Sequence, residues 1–82
     1  MISVIMVCGR IEERDGNITL KQAQEEVGGY IQVVRFSSGM LLVDEDGLQK
    51  QLKRNRVASA VASQTIVGTA VLLTGGSKLD GE

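Results

Sequence analysis

Tyr30-Ile31-Gln32-Val33-Val34-Arg35-Phe36-Ser37-Ser38-Gly39-Met40-Leu41-Leu42-Val43 is the stretch whose reading decides the fold. Two runs rich in β-branched and other apolar residues flank Ser37-Ser38-Gly39. A joint this short connects only antiparallel neighbours, so residues 30–36 and 40–43 are expected to form a β-hairpin. Gly39 is placed for a left-handed or bulged conformation. Working upstream, Gly28 stands where a left-handed residue ends a helix. Leu20, Ala23 and Val27 before it form one apolar stripe at i, i+3 and i+7. Thr19 and Gln22 have capping-box spacing, so a helix is expected over residues 19–27. Residues 10–17, with Asp15-Gly16-Asn17, read as a polar loop. Ile2-Ser3-Val4-Ile5-Met6-Val7-Cys8 reads as a largely buried strand, with Cys8 as a small core residue.

Downstream, Asp44-Glu45-Asp46-Gly47 reads as a solvated hairpin turn. Residues 48–54 are a mixed basic segment. Asn55 is a good N-cap for a helix over residues 56–63, with Val57, Ala60 and Val61 as its apolar face. Residues 65–73 read as a final strand, central because both of its faces are apolar, with a bulge at Gly68. The order is β-α-β-β-α-β. The expected class is α+β, with a mixed or antiparallel sheet of four or more strands and two short helices. Residues 1–74 form the domain and 75–82 a flexible tail.

Eighty-two residues make one domain. Surface scaling gives about 63% of the unfolded surface buried, a thin core. Tyr30 and Phe36 are the only aromatics, so the core is aliphatic. Thin cores and open strand edges favour a homo-oligomer. Net charge is −1, against the basic balance of a general nucleic-acid binder. There is no His, which removes His-based acid–base chemistry, triads and zinc pairs. Asp44, Glu45 and Asp46 lack the spaced ligands of a calcium loop. Gly28-Gly29 follows a helix, where a dinucleotide fingerprint would precede one. The expectation is a chain that is not an enzyme and has no metal or cofactor. Residues 2–8 are too short for a transmembrane helix and have no basic leader, so no membrane partner is expected and the cytoplasm is the expected location.

Several of these segments together resemble a family of small domains of unknown function carried by phages and mobile elements. Leu20 to Val34, containing Val27-Gly28-Gly29-Tyr30-Ile31-Gln32-Val33-Val34, resembles that family's VGGYIEVV signature. Asp44-Glu45-Asp46-Gly47, Leu48 to Leu52, Asn55-Arg56-Val57-Ala58 and Ile66-Val67-Gly68-Thr69 stand where the family has an Asn-Glu-x-Gly turn, a leucine-rich stretch, an Asn-Arg-x-Ala helix start and an I-V-G-T strand. The chain departs at Asp44, where Asn is more usual, and at Lys53-Arg54, where Pro is frequent. The resemblance implies a phage or plasmid origin and a bacterial host cytoplasm, but no chemistry.

Lys50, Lys53, Arg54 and Arg56 crowd around the start of the second helix. Cations there oppose the helix dipole, and a broken local rule points to a site. Lys53, Arg54, Asn55 and Arg56 are therefore the candidate ligand-binding residues, for a phosphate or carboxylate held by guanidiniums, the Asn55 amide and helix N–H groups. The alternative is a solvated basic face. With the resemblance, this corner suggests a non-enzymatic phage-type protein that sequesters an anionic, nucleotide-like immune signal of the host. A protein-binding inhibitor or adaptor of a host defence complex, similar to anti-CRISPR proteins, is the second reading. A nucleic-acid-binding accessory role is disfavoured by the charge balance and by the scarcity of stacking aromatics.

Overall fold

The computed structural model describes residues 1–76 and 79–80. The elements run β1 (Ile2–Ile5), β2 (Ile11–Arg14), β3 (Ile18–Thr19), α1 (Leu20–Val27), β4 (Ile31–Phe36), β5 (Gly39–Asp44), α2 (Arg56–Ala62), β6 (Ala70–Leu73) and β7 (Leu79–Asp80). Five strands form one antiparallel sheet in the order β2-β1-β6-β5-β4. β3 and β7 make a separate two-residue parallel pair. This is an α+β domain, as the hairpin stretch implied.

Successive residues on a strand face opposite sides of a sheet. Ile2, Val4, Leu42, Val71 and Leu73 share one aliphatic cluster with Ala23 and Val27 of α1. Ile5, Leu41, Val43 and Ala70 share another with Ala58 of α2. The alternation places the two helices on opposite faces. β1 is buried along its whole length because it is covered on both sides.

Local chemistry sets the helix limits. In α1 the Thr19 hydroxyl accepts from the Gln22 N–H and the Gln22 side chain accepts from the Thr19 N–H. Gly28 ends α1 at φ 86°, as its position predicted. Asn55 caps α2, and Ser63 closes it in the left-handed region at φ 57°.

The β4–β5 hairpin runs in register from Ile31 opposite Asp44 to Phe36 opposite Gly39. β6 is central, as expected, but four other expectations need correction. Gly39 does not take positive φ; a Cβ there would collide with the Leu73 carbonyl, so glycine is required by a close approach. β6 starts at Ala70, because Gly68 at φ 76° turns the chain; before it only Val67 bridges, to Arg54. β1 stops at Ile5, where hydrogen bonds from Met6 N–H to Arg10 O and from Gly9 N–H to Met6 O turn the chain. Cys8 is consequently exposed and not a core residue. The fourth concerns residues 10–17, which contain β2, an outer strand mostly exposed and carrying Glu12, Glu13 and Arg14. Charges of this kind keep an outer strand soluble, and here they gave a strand the composition of a loop. In the segment expected to be a flexible tail, Leu79 packs against the α1-side core. Residues 77, 78, 81 and 82 lie outside the described residues.

Of the buried polar residues Ser3, Asp44, Asn55 and Ser59, Asn55 lies deepest in this aliphatic interior. Asn55 is fully buried. Its Nδ2 donates to the Ile5 carbonyl and to the Gly68 carbonyl, each at 2.9 Å. Its Oδ1 accepts from the Ala58 N–H at 3.1 Å. At an ordinary N-cap, Asp is as good as Asn. Here Asn55→Asp would aim a carboxylate at two carbonyl oxygens, so we expect it to destabilise the domain by at least about 2 kcal/mol in urea unfolding. A neutral Asn55→Asp would show that Asn55 is only a cap.

Candidate functional site

The connection from β5 to β6 carries the basic residues. Arg54 is extended where it bridges Val67, and Arg56 opens α2. Asn55 between them points inward, while Arg54 and Arg56 are exposed. Both line a shallow groove of about 340 Å³ along α2, completed by Ser59, Ala60, Ser63, Gln64 and Thr65. The groove follows the flank of the helix rather than capping its N-terminus. No ion pair or side-chain hydrogen bond engages either guanidinium among the described residues.

Of the four candidate residues, the structure brings Arg54 and Arg56 together. Lys53 does not line the groove; its carbonyl accepts from the Gly68 N–H. Both amide hydrogens of Asn55 are spent inside the fold. Arg10 faces Glu12 at 3.4 Å, and Arg35 lies on β4, so neither joins the cluster.

A second hollow of about 190 Å³ adjoins the first through Gln64 and Thr65. Gln32, Val34, Val43 and Ile66 line it, with Glu45 and Leu48 on the acidic turn. Sequence reasoning missed this hollow, since its residues come from four separate segments. Together the two depressions present cations at one end and aliphatic, carboxamide and carboxylate groups at the other.

Asp44 was expected in a solvated turn, but its side chain is 2% exposed. Lys50 donates to it at 2.8 Å and to the Gly28 carbonyl at 3.1 Å, which ties the β5–α2 connection to the end of α1. The Asp46 N–H also donates to Asp44, at 2.8 Å. Gly29 is small because a Cβ would press on this ion pair.

Among the described residues, no group of three or more His, Cys, Asp or Glu side chains gathers as metal ligands. No helix there is long and apolar enough to cross a membrane. Comparison with protein families matches residues 2–81 to a domain of unknown function, DUF3846. The chain belongs to the DUF3846 family. No curated protein and no solved structure matches it. Membership of DUF3846 therefore fixes kinship without assigning an activity, and the groove must be interpreted from its own chemistry.

The Asp44–Lys50 pair has a pH signature. The Lys50 hydrogen bond holds the Asp44 carboxyl below its ordinary value; burial opposes this and the Asp46 N–H assists. A depressed carboxylate stabilises the fold fully above its unfolded value near ~3.9 and loses that contribution as pH falls through the lower folded value. Asp44→Asn should lower unfolding free energy by about 2 kcal/mol at neutral pH, and the gap from the parent should shrink progressively below about pH 4. A gap independent of pH would assign the effect to packing.

Proposed function

We propose that this DUF3846 domain is a non-enzymatic binding protein for an anionic small molecule of nucleotide type, held along α2 by Arg54 and Arg56. What supports this most directly is the pair of guanidiniums without ion-pair partners among the described residues, beside a groove of hydroxyls and carboxamides. Guanidiniums bind phosphate and carboxylate bidentately, and the exposed hydroxyls of Ser63 and Thr65 add short contacts, whereas the Ser59 hydroxyl is spent inside the fold. The adjoining hollow, which also carries Asp44 and Glu45, offers aliphatic walls and the carboxamides of Gln32 and Gln64 to the part of a ligand that bears no negative charge. The absence of His favours sequestration over turnover. The resemblance to phage-borne domains gives such sequestration a purpose, the removal of a signal made by a host's defences. An inhibitor or adaptor of a host defence complex is the second reading; it draws on Tyr30 and Leu48, which are 70% and 77% exposed.

The test is a panel of cyclic nucleotides and ADP-ribose isomers, with bound compounds identified by mass spectrometry after heat release. A compound released unchanged is the expected outcome, and a converted product would point to catalysis. Arg56→Ala removes a charge-assisted contact and should weaken the bound compound about tenfold or more. Because Arg56 is exposed, its loss should alter stability by no more than about 0.5 kcal/mol. Unchanged affinity in Arg56→Ala would reduce the groove to a solvated basic face and favour the inhibitor reading.

A further inference from the structure

The five-stranded sheet has two outer strands of unlike character. β2 is four residues long, and three of them are charged. β4 is six residues long, with Arg35 its only charge. Its apolar residues are Ile31, Val33, Val34 and Phe36, and Val33 is 39% exposed. Long apolar edges recruit another strand unless something blunts them.

The hairpin register specifies which backbone groups are open. Phe36 and Gly39 close a two-residue loop, so they form a hydrogen-bonded pair, and such pairs alternate along an antiparallel ladder. The alternation is visible at the far end, where Glu45 N–H donates to the Tyr30 carbonyl at 2.8 Å. Tyr30, Gln32, Val34 and Phe36 thus turn their backbone groups toward β5. Ile31, Val33 and Arg35 turn theirs outward, where no backbone partner meets them among the described residues.

We propose that β4 is a self-pairing interface, joining two copies of this chain through an antiparallel β4–β4 ladder with its two-fold axis at Val33. In this register Val33 faces Val33, and Ile31 faces Arg35 of the second copy. Every outward N–H and C=O of these three residues then gains a partner. The inward-bonded residues are matched too, with Gln32 opposite Val34 and Tyr30 opposite Phe36. The chain's only two aromatics are thereby set across from each other. Aromatic cross-strand pairs stabilise a sheet, and no like charges stand directly opposed. A register shifted by two residues at each strand, placing the axis at Arg35, would oppose two guanidiniums. The second copy is thus the occupant whose pattern β4 complements. The two sheets become one continuous sheet, enlarging a structure whose own core is thin. This interface uses neither Arg54 nor Arg56, although Gln32 and Val34 of the same ladder also line the hollow beside their groove.

Because Val33 lies on the axis, any charge placed there meets itself. Light scattering of the parent at about 50 µM, well above a micromolar Kd, should give twice the 8.8 kDa chain mass. Val33→Lys and Val33→Glu should each be monomeric with an unchanged circular dichroism spectrum. Mixing the two in equal amounts should restore the dimeric mass. Hydrogen exchange of the parent offers a readout free of mutation: the amides of Ile31, Val33 and Arg35 should gain protection as concentration rises. A parent that is monomeric at that concentration, a Val33→Lys variant that stays dimeric, or exchange at these amides that ignores concentration would overturn the proposal. If the variants fail to fold, the exchange measurement decides alone.

Discussion

The carboxamide of Asn55 connects three parts of the chain that no continuous element joins. It holds the end of β1 through the Ile5 carbonyl, the approach to β6 through the Gly68 carbonyl, and the first turn of α2 through the Ala58 N–H. Around it, Asn55 N–H donates to the Ile66 carbonyl, and the Ser59 hydroxyl donates to Asn55 O while accepting from the Ile66 N–H. A polar side chain in an aliphatic interior costs free energy unless every group is partnered. No described buried side-chain N or O atom lacks a partner, so that condition is met. α2 is only seven residues long, too short to persist unaided. This network seats it on the sheet, and the sheet's second face depends on that seat.

The same constraint generates the candidate site. Asn55 is extended, at φ −98° and ψ 100°. Neighbouring side chains in extended chain project to opposite sides. Sending Asn55 into the interior therefore sends Arg54 and Arg56 outward together, onto the same surface beside α2. At the other end of this connection, Lys50 holds buried Asp44 and the carbonyl of Gly28, the residue that caps α1. A cation at a helix C-terminus complements the dipole, whereas Arg56 at a helix N-terminus opposes it. The first pairing belongs to the fold, and the second leaves a charge that an anion would complement.

What was legible in the sequence is what local chemistry determines. Thr19 with Gln22, Gly28, the Ser37-Ser38 loop and the Asn55 cap each act within a few residues, and each appears where the sequence placed it. What was illegible depends on partners distant in the chain. Asn55 looks like a cap from its neighbours, and only the approach of Ile5, fifty residues away, reveals its second role. Asp44 looks solvated until Lys50 folds over it. Cys8 looks buried because its run is apolar, but a strand ends where its ladder ends, and β2 turns back after Ile5. β2 itself was hidden because outer strands bear charge for solubility, erasing the alternation that identifies a strand. The candidate site was half legible: charge located the corner, but only the inward turn of Asn55 separates the residues that face the groove from the one that does not.

The groove is tied to the completion of the whole sheet. β6 enters between β1 and β5, pairing Ile2 with Leu73 across nearly the entire chain. Such non-local pairing forms late, because loop closure must precede its reward. Gly68, whose carbonyl holds Asn55, lies two residues before β6, and Ile66 and Val67 on the same approach fasten Asn55 and Arg54. Until β6 is in place, neither the inward turn of Asn55 nor the outward pair of arginines is defined. The basic surface is therefore a property of the closed sheet rather than of the Lys53–Arg56 segment, and its geometry is as cooperative as the fold that presents it.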